Sequence, residues 1–182
     1  MTPEPTAAEI ISFWREAGPK QWFRKDDAFD GLIRTRFEAA HHRAARGELT
    51  EWAEGAEGAL ALVLLLDQFP RNLYRGSAHA FATDGLARRI ADRALARGFD
   101  QQTEEALRIF FYLPFEHSED AGDQARSLRL FERAGDDEYT RYAKLHAEII
   151  ERFGRFPHRN DMLGRISTKE ETDYLNSGGF AG

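Results

Sequence analysis

Apolar positions recur along the chain at three- and four-residue spacing, and no stretch alternates with a period of two over a convincing length. The pattern therefore predicts helices throughout. Thr6-Ala7-Ala8-Glu9 is a capping-box start for a helix running to about Glu16, stopped by Gly18-Pro19. Phe29, Ile33, Phe37 and Ala40 form the stripe of a second helix ending near Gly47, and Thr50 is placed to cap a short helix containing Trp52. Residues 58–69 follow, apolar on every face from Ala59 to Leu66, as expected of a helix at the centre of a bundle. Pro70 disfavours helical geometry at Phe69 and is expected to end that helix. Helices over 78–97, 103–112, 115–133 and 136–153 and a short one from Ser167 bring the total to about eight with short links. The expected fold is one all-α domain over 1–182, with flexible ends at about 1–5 and 177–182. A bundle or an array of antiparallel helix pairs satisfies the pattern.

Composition narrows the functional classes. The formal net charge of −6 argues against a general nucleic-acid or membrane-surface binder. Of the 25 basic residues all but Lys20, Lys25, Lys144 and Lys169 are Arg, the better residue for forked contacts to carboxylate or phosphate. With no Cys, thiolate chemistry and Cys-based zinc sites are excluded. The acidic start Met1-Thr2-Pro3-Glu4-Pro5 has no apolar core, and the run Ala59 to Leu66 is too short to span a bilayer. A soluble, cytoplasmic protein is expected, with no nucleic-acid or membrane partner.

Two segments carry the candidate chemistry. Asp67-Gln68-Phe69-Pro70-Arg71-Asn72-Leu73-Tyr74-Arg75-Gly76 and Arg152-Phe153-Gly154-Arg155-Phe156-Pro157-His158-Arg159-Asn160, continuing to Gly164-Arg165, end in nearly the same words. If they meet in the fold near His117, they build a cationic pocket. Arg71, Asn72, Arg75, Arg155, His158, Arg159, Asn160 and Arg165 are its candidate ligand-binding residues. On a continuous 115–133 helix, His117 and Gln124 share an inward face with Leu128 and Phe131, Asp120 lies near it, and Glu119 falls on the solvated side. His146 sits in the apolar stripe Tyr142, His146, Ile149, Phe153. Asp67 lies where a helix C-terminus disfavours an anion, so it should pair with Arg71, Arg75, Arg155 or Arg159. Each of these residues also has a bland reading, as a core histidine, a structural ion pair or a clamp on helix-end carbonyls. Trp14 and Trp22 read first as core aromatics and second as a pocket wall. His117, His146 and His158 with Asp67 or Glu116 would supply a nitrogen/oxygen metal site, but none of these residues stands at H-x-x-x-H, H-x-H or E-x-x-H spacing to another, and neither a metal nor a cofactor is expected.

Taken together, Leu66 to Gly76, then Tyr112-Leu113-Pro114-Phe115-Glu116-His117-Ser118-Glu119-Asp120 with Gln124, then His146 with Arg152 to Asn160 and Leu163-Gly164-Arg165, resemble the signatures of the bacterial domain of unknown function 924 family. Phe13-Trp14, Trp22-Phe23 and Phe29-Asp30 resemble its opening, so the likeness runs nearly the full length. It implies a fold of the tetratricopeptide-like superfamily, with paired antiparallel helices, and no established reaction.

Two functions remain open at this level, beside a bland third reading in which the motif residues form a polar core network that fixes loop geometry and function lies elsewhere on the surface. One is binding of a small carboxylate or phosphate among the Arg residues, with His117 or His146 as general acid or base oriented by Asp67 or Asp120. The alternative is a helical-repeat module that clamps an acidic peptide or a C-terminal carboxylate.

Overall fold

The structure, a computed structural model, describes residues 4–182. Among these residues every regular element is helical, giving an all-α helical array. Two compact units are present: residues up to Arg75 with His79–Pro114, and Gly76–Ala78 with Phe115–Gly182. The expected flexible N-terminal end falls partly on residues 1–3, which lie outside the described residues.

In the first unit, the Ala7–Ala17 helix begins with the expected capping box. The Glu9 amide donates to Thr6 Oγ1 at 3.3 Å and the Thr6 amide to Glu9 Oε2 at 2.7 Å. Asp26 caps the Asp27–Ala45 helix by accepting the Ala28 and Phe29 amides at 3.0 Å. Ile10, Trp14, Ile33 and Phe37 are buried, as is the whole run from Ala59 to Leu66. The Trp14 ring packs against Trp22, Phe69 and Phe110 at 6.2, 5.4 and 5.6 Å, and the Trp22 indole donates to the Trp14 carbonyl at 2.6 Å. Both tryptophans are core residues.

One start signal shifts. Leu49, not Thr50, holds the cap position of the Thr50–Glu54 turn; Thr50 is its first residue, and its hydroxyl donates to the Gly47 carbonyl at 2.5 Å. The next helix, Ala56–Val63, crosses that turn so closely that a Cβ at Gly58 would come 2.2 Å from the Trp52 carbonyl oxygen.

Pro70 does not end the buried helix. The chain passes through a π-helical turn, Leu64–Gln68, and stays helical over Phe69–Leu73. The wider turn is how a proline is accommodated here: Pro70 has no N–H to return to the turn before it, so carbonyls there need other donors. Three side chains supply them. His41 Nδ1 meets the Leu65 carbonyl at 2.8 Å, Thr83 Oγ1 donates to Leu66 at 2.6 Å, and Arg71 Nη1 donates to Asp67 at 2.5 Å. The expected 78–97 helix is regular over Asp84–Ala96, and the expected 103–112 helix is an α-turn, Glu105–Arg108, followed by a 3₁₀ turn, Ile109–Phe111.

In the second unit the expected 115–133 helix is interrupted. Leu113–Glu116 ends before His117, and a new helix, Ala121–Ala134, starts at Asp120, whose carboxylate accepts the Asp123 amide at 3.0 Å. Asp120 is thus a cap. His117 lies in the intervening turn and not on a helix face. Ala121–Ala134 and Asp137–Phe153 form an antiparallel hairpin joined through Gly135 and Asp136. The hairpin ends at Gly154, whose φ of +68° terminates the helix in the left-handed region. Here the two similar segments part ways: Gly154 occupies the place of Asp67, so the first Phe-Pro continues a helix and the second enters a 3₁₀ turn, Pro157–Arg159. The last helix, Lys169–Asn176, has a second capping box between Thr168 and Glu171.

Candidate functional site

In the first unit the candidate residues bind carboxylates of their own unit. Asp67 is fully buried. It lies 3.3 Å from Arg71 and also takes a hydrogen bond from Gln68. Arg71 in turn forks onto Asp84 at 2.9 and 3.0 Å. Burial works against the Arg71 charge, but the two carboxylates outweigh it and raise its pKa. Asn72 donates to Asp30 Oδ1 at 2.7 Å, and Arg75 binds the same carboxylate at 2.5 and 3.1 Å. The first segment thus joins the 27–45 and 84–96 helices through two ion-pair clusters.

The second segment does likewise in the second unit. Arg155 forks onto buried Glu171 at 2.6 and 2.8 Å. Hydrogen bonding from Arg155 is the largest influence on that carboxyl, whose pKa drops to about 2. Asn160, fully buried, donates to Ser167 Oγ at 3.0 Å and Glu171 Oε2 at 3.3 Å, and accepts from Arg165 Nε at 2.9 Å. Arg165 then forks onto Glu119 at 2.6 and 2.9 Å. Glu119 also accepts the Phe156 amide at 2.8 Å. Burial pushes the Glu119 pKa up, but Arg165 and the Phe156 amide prevail and it is lowered. The sequence reading of Glu119 as a solvated residue fails because the helix assumed for it breaks at 117–120, which voids its wheel position. Glu119, Glu171, Asp30 and Asp84 are the partners that sequence reasoning missed.

The remaining candidates gather around the turn at residues 116–118. Gln124 Nε2 donates to the Glu116 carbonyl at 2.7 Å and the Ser118 carbonyl at 2.6 Å, and Arg159 Nη1 donates to the His117 carbonyl at 3.0 Å. Three successive carbonyls are gripped from two directions. Behind the turn, His146 is buried, with Nδ1 at 2.8 Å from the Tyr142 carbonyl and 3.4 Å from Glu116 Oε1. A proton on Nδ1 satisfies that carbonyl. The carboxylate beside His146 is Glu116, which the sequence offered only as a metal ligand.

His158 stands beside this group. Its ring lies 5.6 Å from Phe156, over which the Arg159 guanidinium sits at 4.4 Å. Burial first, then the charges of Arg159, His146 and His117, against Glu119, lower the His158 pKa to about 3. Its Nδ1 is buried and makes no hydrogen bond. Gln124 Oε1 and Ser127 Oγ, on the buried face of the Ala121–Ala134 helix, share that condition. Natural interiors keep few such atoms without a water or a ligand on them. The second unit therefore brings together His117, His146, His158, Arg159 and Gln124, with Glu116 added. Among the described residues no group of three or more His, Asp or Glu is arranged to hold a metal ion, and no helix is long and apolar enough to cross a membrane.

The chain is similar to a solved structure of a protein of unknown function from Agrobacterium tumefaciens. The two are 55% identical with a TM-score of 0.92, over 94% of this chain and 97% of that one. Nothing among curated proteins matches. The model of a family described as bacterial protein of unknown function, DUF924, matches residues 10–179, the span that contains every clamp described above, and the chain belongs to that family.

Proposed function

We propose that the second unit binds a small anionic ligand, a carboxylate or phosphate, beside His117, His158 and Arg159, with His146 available as general acid or base. The observation that supports this reading is the buried, unbonded Nδ1 of His158 next to the Arg159 guanidinium. Burial is the chief reason His158 stays neutral, and the Arg159 guanidinium, second in effect, is the positive charge that favours an anion beside it. Arg71, Arg75, Arg155 and Arg165 have roles as clamps on Asp67, Asp84, Asp30, Glu171 and Glu119. These four arginines are left out of the proposed binding set. The Glu116–His146 pair gives the acid–base part its geometry, with the carboxylate and the Tyr142 carbonyl beside one ring nitrogen.

The test is calorimetric titration with acetate, citrate, inorganic phosphate and phenyl phosphate on wild type, Arg159→Lys and His158→Asn. Arg159→Lys keeps the charge but loses the fork, so an anion held there binds about tenfold more weakly, equivalent to about 1.4 kcal/mol. Binding that is identical in all three proteins, or absent from wild type, overturns the proposal.

A further inference from the structure

Residues 177–182 fold back over the histidines instead of leaving the surface. The Phe180 ring stands edge-on to His146 at 4.6 Å and to His158 at 5.3 Å. The Phe180 amide donates to Tyr174 Oη at 3.0 Å, and Tyr174 packs on Phe153 at 5.1 Å. Gly179 passes so close to Tyr174 that a Cβ there would lie 2.6 Å from the ring and from the carbonyl oxygen. Gly182 lies against His158, where a Cβ would come 3.1 Å from Cδ2. A flat apolar ring is therefore seated between two imidazoles and beside Phe156, in a cluster with Ile149, Ile150 and Leu145.

We propose that Phe180 occupies the aromatic half of the ligand site, that the ligand is an aryl carboxylate or aryl phosphate, and that its ring displaces Phe180 while its anion meets Arg159. The inference rests on the anion-binding reading above and adds the ring to it. The chemistry is that of the seat. Imidazole edges and a phenyl face favour an aromatic occupant in edge-to-face contact. The adjacent guanidinium, stacked on Phe156, supplies the charge an aryl anion needs. Ser177, Gly178 and Gly179 are held by amide bonds to the Asp173, Leu175 and Tyr174 carbonyls, whereas residues 180–182 are held by one amide-to-hydroxyl bond, the Phe180 ring and the contact of Gly182 with His158, so a competitor of that ring's shape has little to displace. The tail then acts as an internal competitor, and the site is open in proportion to the fraction of chains whose Phe180 has left.

The decisive comparison uses benzoate and phenyl phosphate against acetate and inorganic phosphate, on wild type, Phe180→Ala and Tyr174→Phe. Tyr174→Phe loosens the tail without touching the seat, which guards against a Phe180→Ala protein that is merely less stable. Both variants should bind the aryl anions about tenfold more tightly than wild type and bind acetate and phosphate unchanged. Modification of His158 by diethyl pyrocarbonate, located by mass spectrometry, should also be severalfold faster in both variants and slowed by benzoate. Aryl anions that bind no better in either variant, while acetate or phosphate still binds in an Arg159-dependent way, overturn the aromatic inference and leave the anion reading standing. If none of the four anions binds any of the proteins, both fall.

Discussion

Glu119 and Arg165 meet as a forked pair, both guanidinium Nη atoms on the two carboxylate oxygens, and the same carboxylate holds the Phe156 amide. The pair fixes the start of the Pro157–Arg159 turn, which carries His158 and Arg159. Glu119→Gln removes the charge and keeps the shape. Urea denaturation should show a loss of about 2 kcal/mol, the usual worth of a hydrogen bond to a charged partner. A change within about 0.5 kcal/mol, the range of an ordinary surface substitution, would show that the fork contributes nothing.

Thr83 and Pro70 should be coupled although neither is bonded to the other. Thr83→Val leaves the Leu66 carbonyl without its hydroxyl donor and should cost about 1–3 kcal/mol. In a Pro70→Ala background residue 70 regains an N–H that can serve Leu66 in the ordinary helical way, so Thr83→Val should cost clearly less there. A double-mutant cycle with no coupling energy sinks this account of the π-helical turn.

His158 should stay neutral across the physiological range. Its folded pKa of about 3 lies below the ordinary value of 6.5. Between those values the unfolded chain takes up a proton that the native one refuses, so this residue makes stability fall as pH drops from 6.5 towards 3. By NMR its ring signals should not titrate between pH 5 and 8, and His158→Asn should lose less stability than wild type between pH 7 and pH 4.5. A midpoint near 6.5 in the folded protein refutes both statements.

Glu171 has the same direction of pKa shift and a similar consequence. Its pKa is lowered from 4.5 to about 2, chiefly by Arg155. Its contribution is fully present above about pH 4.5 and is lost as pH falls towards 2. Melting temperatures of Glu171→Gln and wild type should therefore differ most at neutral pH and converge near pH 2. A constant gap over that window contradicts the assignment.

Gly58→Ala should reverse the usual sign. In an exposed helix interior the change stabilises by about 0.5–1 kcal/mol. Here the new Cβ meets the Trp52 carbonyl, so the helix and the Thr50–Glu54 turn must separate. A net loss of about 1–3 kcal/mol in chemical denaturation is expected, as for other overpacked sites; any gain shows that the close approach is relaxed at no cost.

The helices were legible because their stripes and caps are local. Thr6 with Glu9, the Phe29–Ile33–Phe37 stripe and the run to Leu66 each lie within a few turns of chain. The clamps were half legible. The sequence showed that Asp67 at a helix end needs a cation, and Arg71, one turn on, is that cation. It did not show Asp30, Asp84, Glu119 or Glu171, because their arginines are 13 to 46 residues away and nothing local marks such a partner. The break at His117 was the costly miss. Its signal is Ser118 and Asp120 ahead of Asp123, a start sequence masked by an apolar stripe that continues on both sides of it. Phe180 carried no signal: a lone aromatic among glycines looks like a frayed end until its neighbours are known.

The π-helical turn at Leu64–Gln68 has a consequence for the order of assembly. Its carbonyls are served from residues 24 earlier, 17 later and four later in the chain, so two of the three donors arrive only when the 27–45 helix and the approach to the 84–96 helix have docked. A local helix can nucleate over Ala56–Val63 on its own, but the turn beyond it cannot be completed before its neighbours are in place. Slow amide exchange at Phe69, whose N–H reaches back to the Leu64 carbonyl, therefore reports the docking of distant segments and not the strength of its own helix.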